Sequence, residues 1–224
     1  LNDEDLSIIN RFYDPDFFPS ENENYITLTS HNGIASRINQ QALDNLPHKL
    51  HQFEAQVEGD FPERMYPNDK TLLLKEGAQI MFIKNDKGDD RKYYNGKIGI
   101  VERIGADKSI WVRFPAEAAL FALRKEEWKN IQYQYDNPAD KIDEEEIGSF
   151  MQYPVRTAWA ITIHKSQGLT FDKAVIDAGA AFAAGQVYVA FSRLRSMNGL
   201  VLRSRIYRSA IYTDEQILSF SEKK

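Results

Sequence analysis

Residues 160–172 read AITIHKSQGLTFD, an apolar, β-branched run that passes without a break into His164-Lys165-Ser166-Gln167-Gly168. Ala160-Ile161-Thr162-Ile163 has the composition of a buried strand. The five residues after it are ones a hydrophobic core rejects: hydrogen-bonding side chains, one cation and a glycine, with no acid among them. In open α/β sheets, ligands bind beyond the carboxyl ends of the strands. The stretch therefore predicts a strand from Thr157 to Ile163 that ends in a ligand-facing loop.

A second loop of the same kind lies upstream. Tyr25-Ile26-Thr27-Leu28-Thr29 alternates as a strand and runs into Ser30-His31-Asn32-Gly33. A helix follows, with Ile34, Ile38 and Leu43 marking its apolar face up to Pro47. Two polar loops at equivalent strand ends can form one groove. Neutral hydrogen-bonders, one lysine and a glycine suit phosphate and sugar oxygens. They do not suit a metal, which wants carboxylates or several imidazoles. His48 and His51 have no further ligands near them in sequence and read as surface residues.

The rest of the α/β pattern comes late in the chain. Lys173 to Asp177 reads as a strand, Ala184 to Ser196 as a helix and Leu200 to Ile206 as a returning strand. Val187, Ala190, Phe191 and Leu194 form the helix's apolar face, and Tyr188 is assigned with Phe191 to core packing. Thr213-Asp214-Glu215-Gln216 matches a capping box that opens a last helix. Between the two halves, residues 70–128 change style. Ala78–Ile83, Lys97–Ile104 and Ile110–Phe114 read as short strands separated by turns such as Asn95-Gly96 and Gly105-Ala106-Asp107. These suggest a small antiparallel meander or barrel. The acidic stretch Asp136 to Glu146 reads as a surface connection. The expected domains are 1–66 and 150–224 as two parts of one α/β lobe, and 67–149 as an inserted β unit with its connection.

Composition narrows the classes. The chain has 224 residues, a net charge of −5 and no cysteine. Disulfides and thiolate metal sites are thereby excluded. No apolar run reaches the roughly 18 residues of a membrane span, so no membrane partner is expected. No secretory signal opens the chain, and a cytoplasmic setting is the expectation. The sequence starts abruptly and is expected to be a piece of a longer protein. Charge is uneven: Phe150 to Ala210 holds eight cations against Asp172 and Asp177, about +6, which leaves about −11 elsewhere. A local basic surface of this kind can steer a polyanion, although charge alone fits a solvated face equally well.

Four ordered stretches resemble one family. AITIHKSQGLTFD is similar to motif V of superfamily-one helicases, and GQVYVAFSRLRSMNGLVL to their motif VI. The wording HKSQG with GQVYVAFSR resembles the PIF/RecD-like branch, which moves 5′ to 3′ on DNA. YITLTSHNGIASRIN resembles its motif IV. LLLKEGAQIMFIKND with NGKIGIV is similar to the approach to its inserted SH3-like barrel. The likeness spans residues 25–206.

The resemblance implies a RecA-like, P-loop-NTPase-type parallel-sheet lobe, the second motor lobe, carrying a small SH3-like antiparallel β-barrel. It implies that Thr29, His31, Asn32, Thr162, His164, Lys165 and Ser166 hold single-stranded DNA, with RNA an open alternative. Gln167, Gly168, Gln186 and Arg193 would face the nucleotide. Arg193 would be the catalytic arginine finger, acting on ATP with Mg²⁺. Its alternative part is to complement the negative end of its own helix. Many superfamily-one enzymes carry an acid two places after the motif V glycine; here that place is Thr170, which puts a ribose contact in doubt. Lys97, Arg103 and Arg113 of the insert are weaker candidates for backbone contacts.

No G-x-x-x-x-G-K-[ST] occurs, and no apolar strand ends in an Asp-Glu pair, since Val175-Ile176-Asp177 continues into Ala178. Phosphate cradling and Mg²⁺ positioning need those elements. This chain alone is therefore expected to bind no nucleotide cofactor and to act with a first RecA-like lobe of the same protein, as a monomer. A non-catalytic nucleic-acid-binding or protein-docking module, or a RecD-like subunit of a recombination nuclease, are the alternative readings.

Overall fold

The computed structural model describes residues 3–20, 23–88, 90–115, 117–136, 141–177 and 185–208. The chain divides into two compact units, Leu1–Asn45 with Ala158–Lys224, and Leu46–Thr157 between them in sequence.

The first unit is built on a parallel sheet. A short helix α1 (Asp3–Ile9) precedes β1 (Ile26–Thr29) and helix α2 (Asn32–Asn45). The second unit supplies β2 to β11, given below, and the chain then returns with β12 (Ala160–Thr162), β13 (Ala174–Asp177), helix α3 (Gln186–Phe191) and β14 (Leu200–Leu202). The sheet order is β12-β1-β13-β14, every neighbour parallel. All four residues of β1 are buried, as is expected of a strand covered on both faces. Thr162, Thr29 and Asp177 stand in one register row. The carboxyl ends of three strands thus open at one level.

Asn39 fixes the sheet to its helix. It occupies the core-facing position midway between the buried Ala35 and Leu43. Its Nδ2 donates to the Ala160 carbonyl at 2.8 Å, and its Oδ1 accepts from the amides of Trp159 (2.9 Å) and Ala160 (2.8 Å). This one amide satisfies backbone groups at the edge of β12, which would otherwise lack a ladder partner.

The second unit is all β. It comprises β2 (His51–Glu54), β3 (Gln56–Gly59), β4 (Thr71–Leu74), β5 (Gln79–Phe82), β6 (Ile98–Ile104), β7 (Ile110–Arg113), β8 (Leu120–Leu123), β9 (Glu126–Asp136), β10 (Lys141–Gln152) and β11 (Val155–Thr157). A five-stranded antiparallel sheet has the order β11-β5-β6-β7-β8, beside a three-stranded β3-β10-β9 and a β2-β4 pair. Phe82, Tyr93, Phe114 and Phe121 cluster in it with ring centroids 4.3–6.2 Å apart. Phe61, Tyr66, Trp128 and Phe150 form a second cluster.

The structure departs from several of the sequence-based expectations. Residues 46–66 and 150–157 belong with the β unit rather than with the α/β lobe. The reason is pairing: β2 lies on β4, β3 lies on β10, and the buried Gln152 side chain donates to the Phe53 carbonyl at 2.8 Å. The strand expected over 157–163 is two strands, because β11 pairs antiparallel with β5 and β12 pairs parallel with β1. The acidic stretch 136–146 is not a connection: Lys141–Glu146 pairs with Ile131–Asp136 to extend the β9-β10 ribbon. The capping box at Thr213–Gln216 and the start of the helix expected from Ala184 lie outside the described residues.

Candidate nucleic-acid and nucleotide interface

The loop after β12 is a compact turn. Ile163 continues the ladder by donating its amide to the Thr29 carbonyl at 2.9 Å. His164–Ser166 then forms a single 3-10 turn, with the Ser166, Gln167 and Leu169 amides donating to Ile163, His164 and Ser166 carbonyls. Gly168 has φ +78 and nothing within 4 Å of the place a Cβ would take. Glycine is there for its backbone and not for close packing, because a left-handed residue costs an L-amino acid roughly 1–2 kcal/mol.

The polar residues of the two loops separate into two groups. Thr29, Thr162 and Ser166 are buried. The Ser166 hydroxyl donates to the Ile163 carbonyl at 2.7 Å, and Thr162 Oγ1 accepts the Lys165 amide at 3.4 Å. Thr29 Oγ1 accepts the His31 amide at 3.1 Å and donates to the His31 carbonyl at 3.2 Å. These three side chains take part in shaping the loops. His31, Asn32, His164, Lys165 and Gln167 are exposed. The Ser30 hydroxyl lies 2.7 Å from His31 Nδ1, which orients that ring.

The loop is also joined to the segment after α3. Phe171 and Leu194 form a parallel bridge; the Phe171 amide donates to the Arg193 carbonyl (2.7 Å) and the Arg195 amide to the Phe171 carbonyl (3.1 Å). The two stretches that stand out in sequence, 160–172 and 185–202, therefore form one assembly within the first unit.

Arg193 is placed differently from the expectation. The helix expected to run to Ser196 ends at Phe191, so Arg193 lies past its end and shares no helical face with Gln186. Its guanidinium folds back: Nε donates to the Val189 carbonyl at 3.0 Å, Nη1 to the carbonyls of Leu169 (3.1 Å) and Ser166 (3.4 Å), and Nη2 to Ser192 Oγ at 2.9 Å. In this conformation Arg193 closes the carboxyl end of α3 and binds the 164–169 turn through two of its carbonyls. Carbonyls at a helix end attract a cation. Gln186 opens α3 half-buried, after Gly185 at φ +78. Tyr188, expected in the core, is 77% exposed, because it sits on the outer side of a helix whose inner side is Val187 and Ala190. Arg195 pairs with Asp172 at 3.4 Å.

Residues that sequence reasoning missed are the amides that set strand ends. Asn39 is one; its signal was a polar residue at a core position of α2. Asn10 is another, exchanging two hydrogen bonds of 2.9 Å with the Ile206 backbone just after β14. Among the described residues no group of three or more His, Asp or Glu could hold a metal, and no helix is long and apolar enough to cross a membrane.

The parallel sheet with polar loops at its carboxyl ends defines an α/β RecA-like lobe with an inserted β-rich region, the architecture of Pif1 helicase structures. The chain is 36% identical over 180 residues to the ATP-dependent DNA helicase PIF1 of Homo sapiens, which covers 77% of this chain and 26% of that protein. The unliganded Pif1 of Bacteroides sp. superposes with a TM-score of 0.88 at 34% identity, covering 99% of this chain and 50% of that one. A Pif1 helicase from Bacteroides in complex with ADP-AlF3 and ssDNA superposes with a TM-score of 0.73, covering 100% and 50%. No protein-family model matches the chain. By sequence and fold the chain is a PIF1-like helicase part, spanning about a quarter to a half of the length of these relatives.

Proposed function

We propose that the chain is the second motor lobe of an ATP-dependent, 5′-to-3′ DNA helicase. Its carboxyl-edge loops would form half of a single-stranded DNA track, and Arg193 would complete ATP hydrolysis on a first RecA-like lobe of the same protein. The observation that carries this reading is the joined pair of loops. Exposed His164 and Lys165 stand on the turn whose Ser166 and Leu169 carbonyls Arg193 binds, and exposed His31 and Asn32 follow the neighbouring strand β1, whose Thr29 carbonyl accepts the Ile163 amide. A phosphate pulling on Arg193 would compete with the carbonyls of Ser166 and Leu169, and so act on the DNA-facing turn. Relatives that work with ATP and with ssDNA support the assignment.

The donors present fit the anionic end of a nucleotide: Gln167 and Arg193, with Gln186 nearby in sequence. They do not fit Mg²⁺. Asp172 and Asp177 each already face an arginine, at 3.4 and 3.8 Å. The metal and the base for water activation therefore fall to the first lobe. RNA is not distinguished from DNA, because a track built on the backbone reads neither sugar nor base strongly. The assembly is taken as monomeric.

One observation favours a second reading, a nucleic-acid-binding module without catalysis. Every described Arg193 contact is inside its own unit. In such a module the clasp would be the whole of the residue's work. The test is ATP hydrolysis with and without the first lobe. The chain alone should show no turnover; the two-lobe protein should turn over, and Arg193→Ala in it should lower kcat by about 10³-fold or more. Unchanged kcat would assign Arg193 to structure alone and leave the module reading.

A further inference from the structure

We propose that the single-strand track does not end at the 164–168 loop but crosses the carboxyl edge of the sheet to a base-stacking platform at Phe18. This inference rests on the DNA-track reading above. The register row Thr162, Thr29, Asp177 continues on β14, since Ile176 pairs with Leu202 and Arg203 follows at the level of Asp177. With strands about 5 Å apart, the row carries the edge roughly 15 Å from the Lys165 loop to Arg203. That is a reach of a few nucleotides.

Residues 13–18 lie at the far end of this row. Tyr13 bridges to Leu202, and the Asp14 amide donates to the Leu202 carbonyl at 2.9 Å, so the segment is fastened beside the end of β14. Phe18 is 81% exposed, the most exposed large apolar side chain among those described. The Arg203 guanidinium stands 5.7 Å from its ring, and that of Arg205 stands 4.6 Å from the Tyr13 ring. Two aromatic rings, each set by an arginine, at the margin of a strand-binding edge are the components of a sequence-tolerant platform for unpaired bases.

Nearby acids decide what kind of contact this is. Asp177 faces Arg203 at 3.8 Å, and the turn before Phe18 carries Asp14 and Asp16. The corner is close to electrically balanced, so it does not attract phosphates as a charged patch would. Its contribution is stacking on Phe18. Arg205, exposed and without an ion pair among the described residues, is the one cation there free for a phosphate.

The test is binding of the chain to fluorescent oligothymidines of about 4 and about 12 residues, across a salt series. Phe18→Ala should weaken binding to the longer strand about fivefold or more, leave the shorter one unchanged and leave the salt slope as it was. Phe18→Trp should keep the affinity. On a strand with abasic sugars replacing the bases, Phe18→Ala should have no effect. Arg205→Ala should reduce the salt slope by about 0.7. Both side chains point outward, so these variants retain the fold; circular dichroism checks it. If Phe18→Ala binds as the parent does while Lys165→Ala is weakened, the platform is wrong and Phe18 serves another surface, such as a protein partner, while the track stands. Equal losses on normal and abasic strands also overturn stacking. If no strand binds the chain at low salt, the track itself falls, and the platform with it.

Discussion

Lys97 and Lys165 carry the same charge and have opposite surroundings. In the β unit, Lys97 Nζ lies 2.8 Å from Glu117 and 2.6 Å from the Lys92 carbonyl, and 3.5 Å above the Phe114 ring, with its side chain 17% exposed. Its neighbours are matched in the same way: Arg113 with Glu102 at 2.9 Å, Lys84 with Glu126 at 3.1 Å, Lys129 with Glu146 at 2.6 Å. In the α/β unit, Lys165 stands exposed on a turn with no acid in it, and among the described residues no carboxylate meets it. A cation's use is set by what its own fold already gives it. The four of the β unit bind acids of their own unit; Lys165 meets none among the described residues, which suits the proposed contact with a polyanion. Lys97 and Arg113, two of the insert's three weaker candidates for backbone contacts, each face an acid of the β unit, while the third, Arg103, lies 5.4 Å from the Trp111 ring.

The contrast can be broken by exchange of roles. Lys97→Ala removes an ion pair, a carbonyl bond and packing on Phe114, and should lower stability by about 1–3 kcal/mol in denaturant titration. It should leave single-strand affinity alone. Arg193→Ala tests the clasp: loss of a charged donor to several carbonyls should cost about 1–2 kcal/mol, and amide exchange should quicken at Leu169 and Phe171. An unchanged stability would mean that Arg193 is held only loosely. The smallest effect belongs to the turn at Asp86, whose carboxylate accepts the amides of Gly88 and Lys92, each at 2.9 Å. The Gly88 bond, foremost, holds its pKa below the ordinary aspartate value. A depressed carboxyl adds stability above its unfolded pKa and loses it as pH falls through the folded one. The advantage of the parent over Asp86→Asn should therefore be full at neutral pH and shrink progressively as pH falls below about 4.

Much of the α/β unit was readable because its signals are local. The change from Ala160–Ile163 to His164–Gly168 marks a strand end by composition, and the alternation at 25–29 marks its neighbour. The β9-β10 ribbon was hidden for the opposite reason. Residues 131–134 and 143–146 are exposed on both faces, so no apolar period announces a strand. The ribbon is held by register and by pairs such as Lys129–Glu146, which join residues 17 apart. The site was half legible for a similar reason. Residue type suggested which groups meet phosphate, but which of them are buried depends on the turn: Ser166 and Thr29, strand contacts by resemblance, are buried and hydrogen-bonded within their own loops. Arg193's place at the carboxyl end of α3, on the Val189 carbonyl, matches the alternative part read for it, but its hold on the 164–169 turn was illegible, since those carbonyls come from a loop 24–27 residues away.

The proposed single-strand contact falls on Lys165, which meets no carboxylate among the described residues, and not on the ion-paired Lys97. It is tested most directly by the salt dependence of single-stranded DNA binding by the parent chain, Lys165→Ala and Lys97→Ala. Binding should be weak, with the slope of log K against log salt shallower by about 0.7 in Lys165→Ala and unchanged in Lys97→Ala. A slope unchanged by Lys165→Ala, or one reduced by Lys97→Ala in a folded protein, would contradict it.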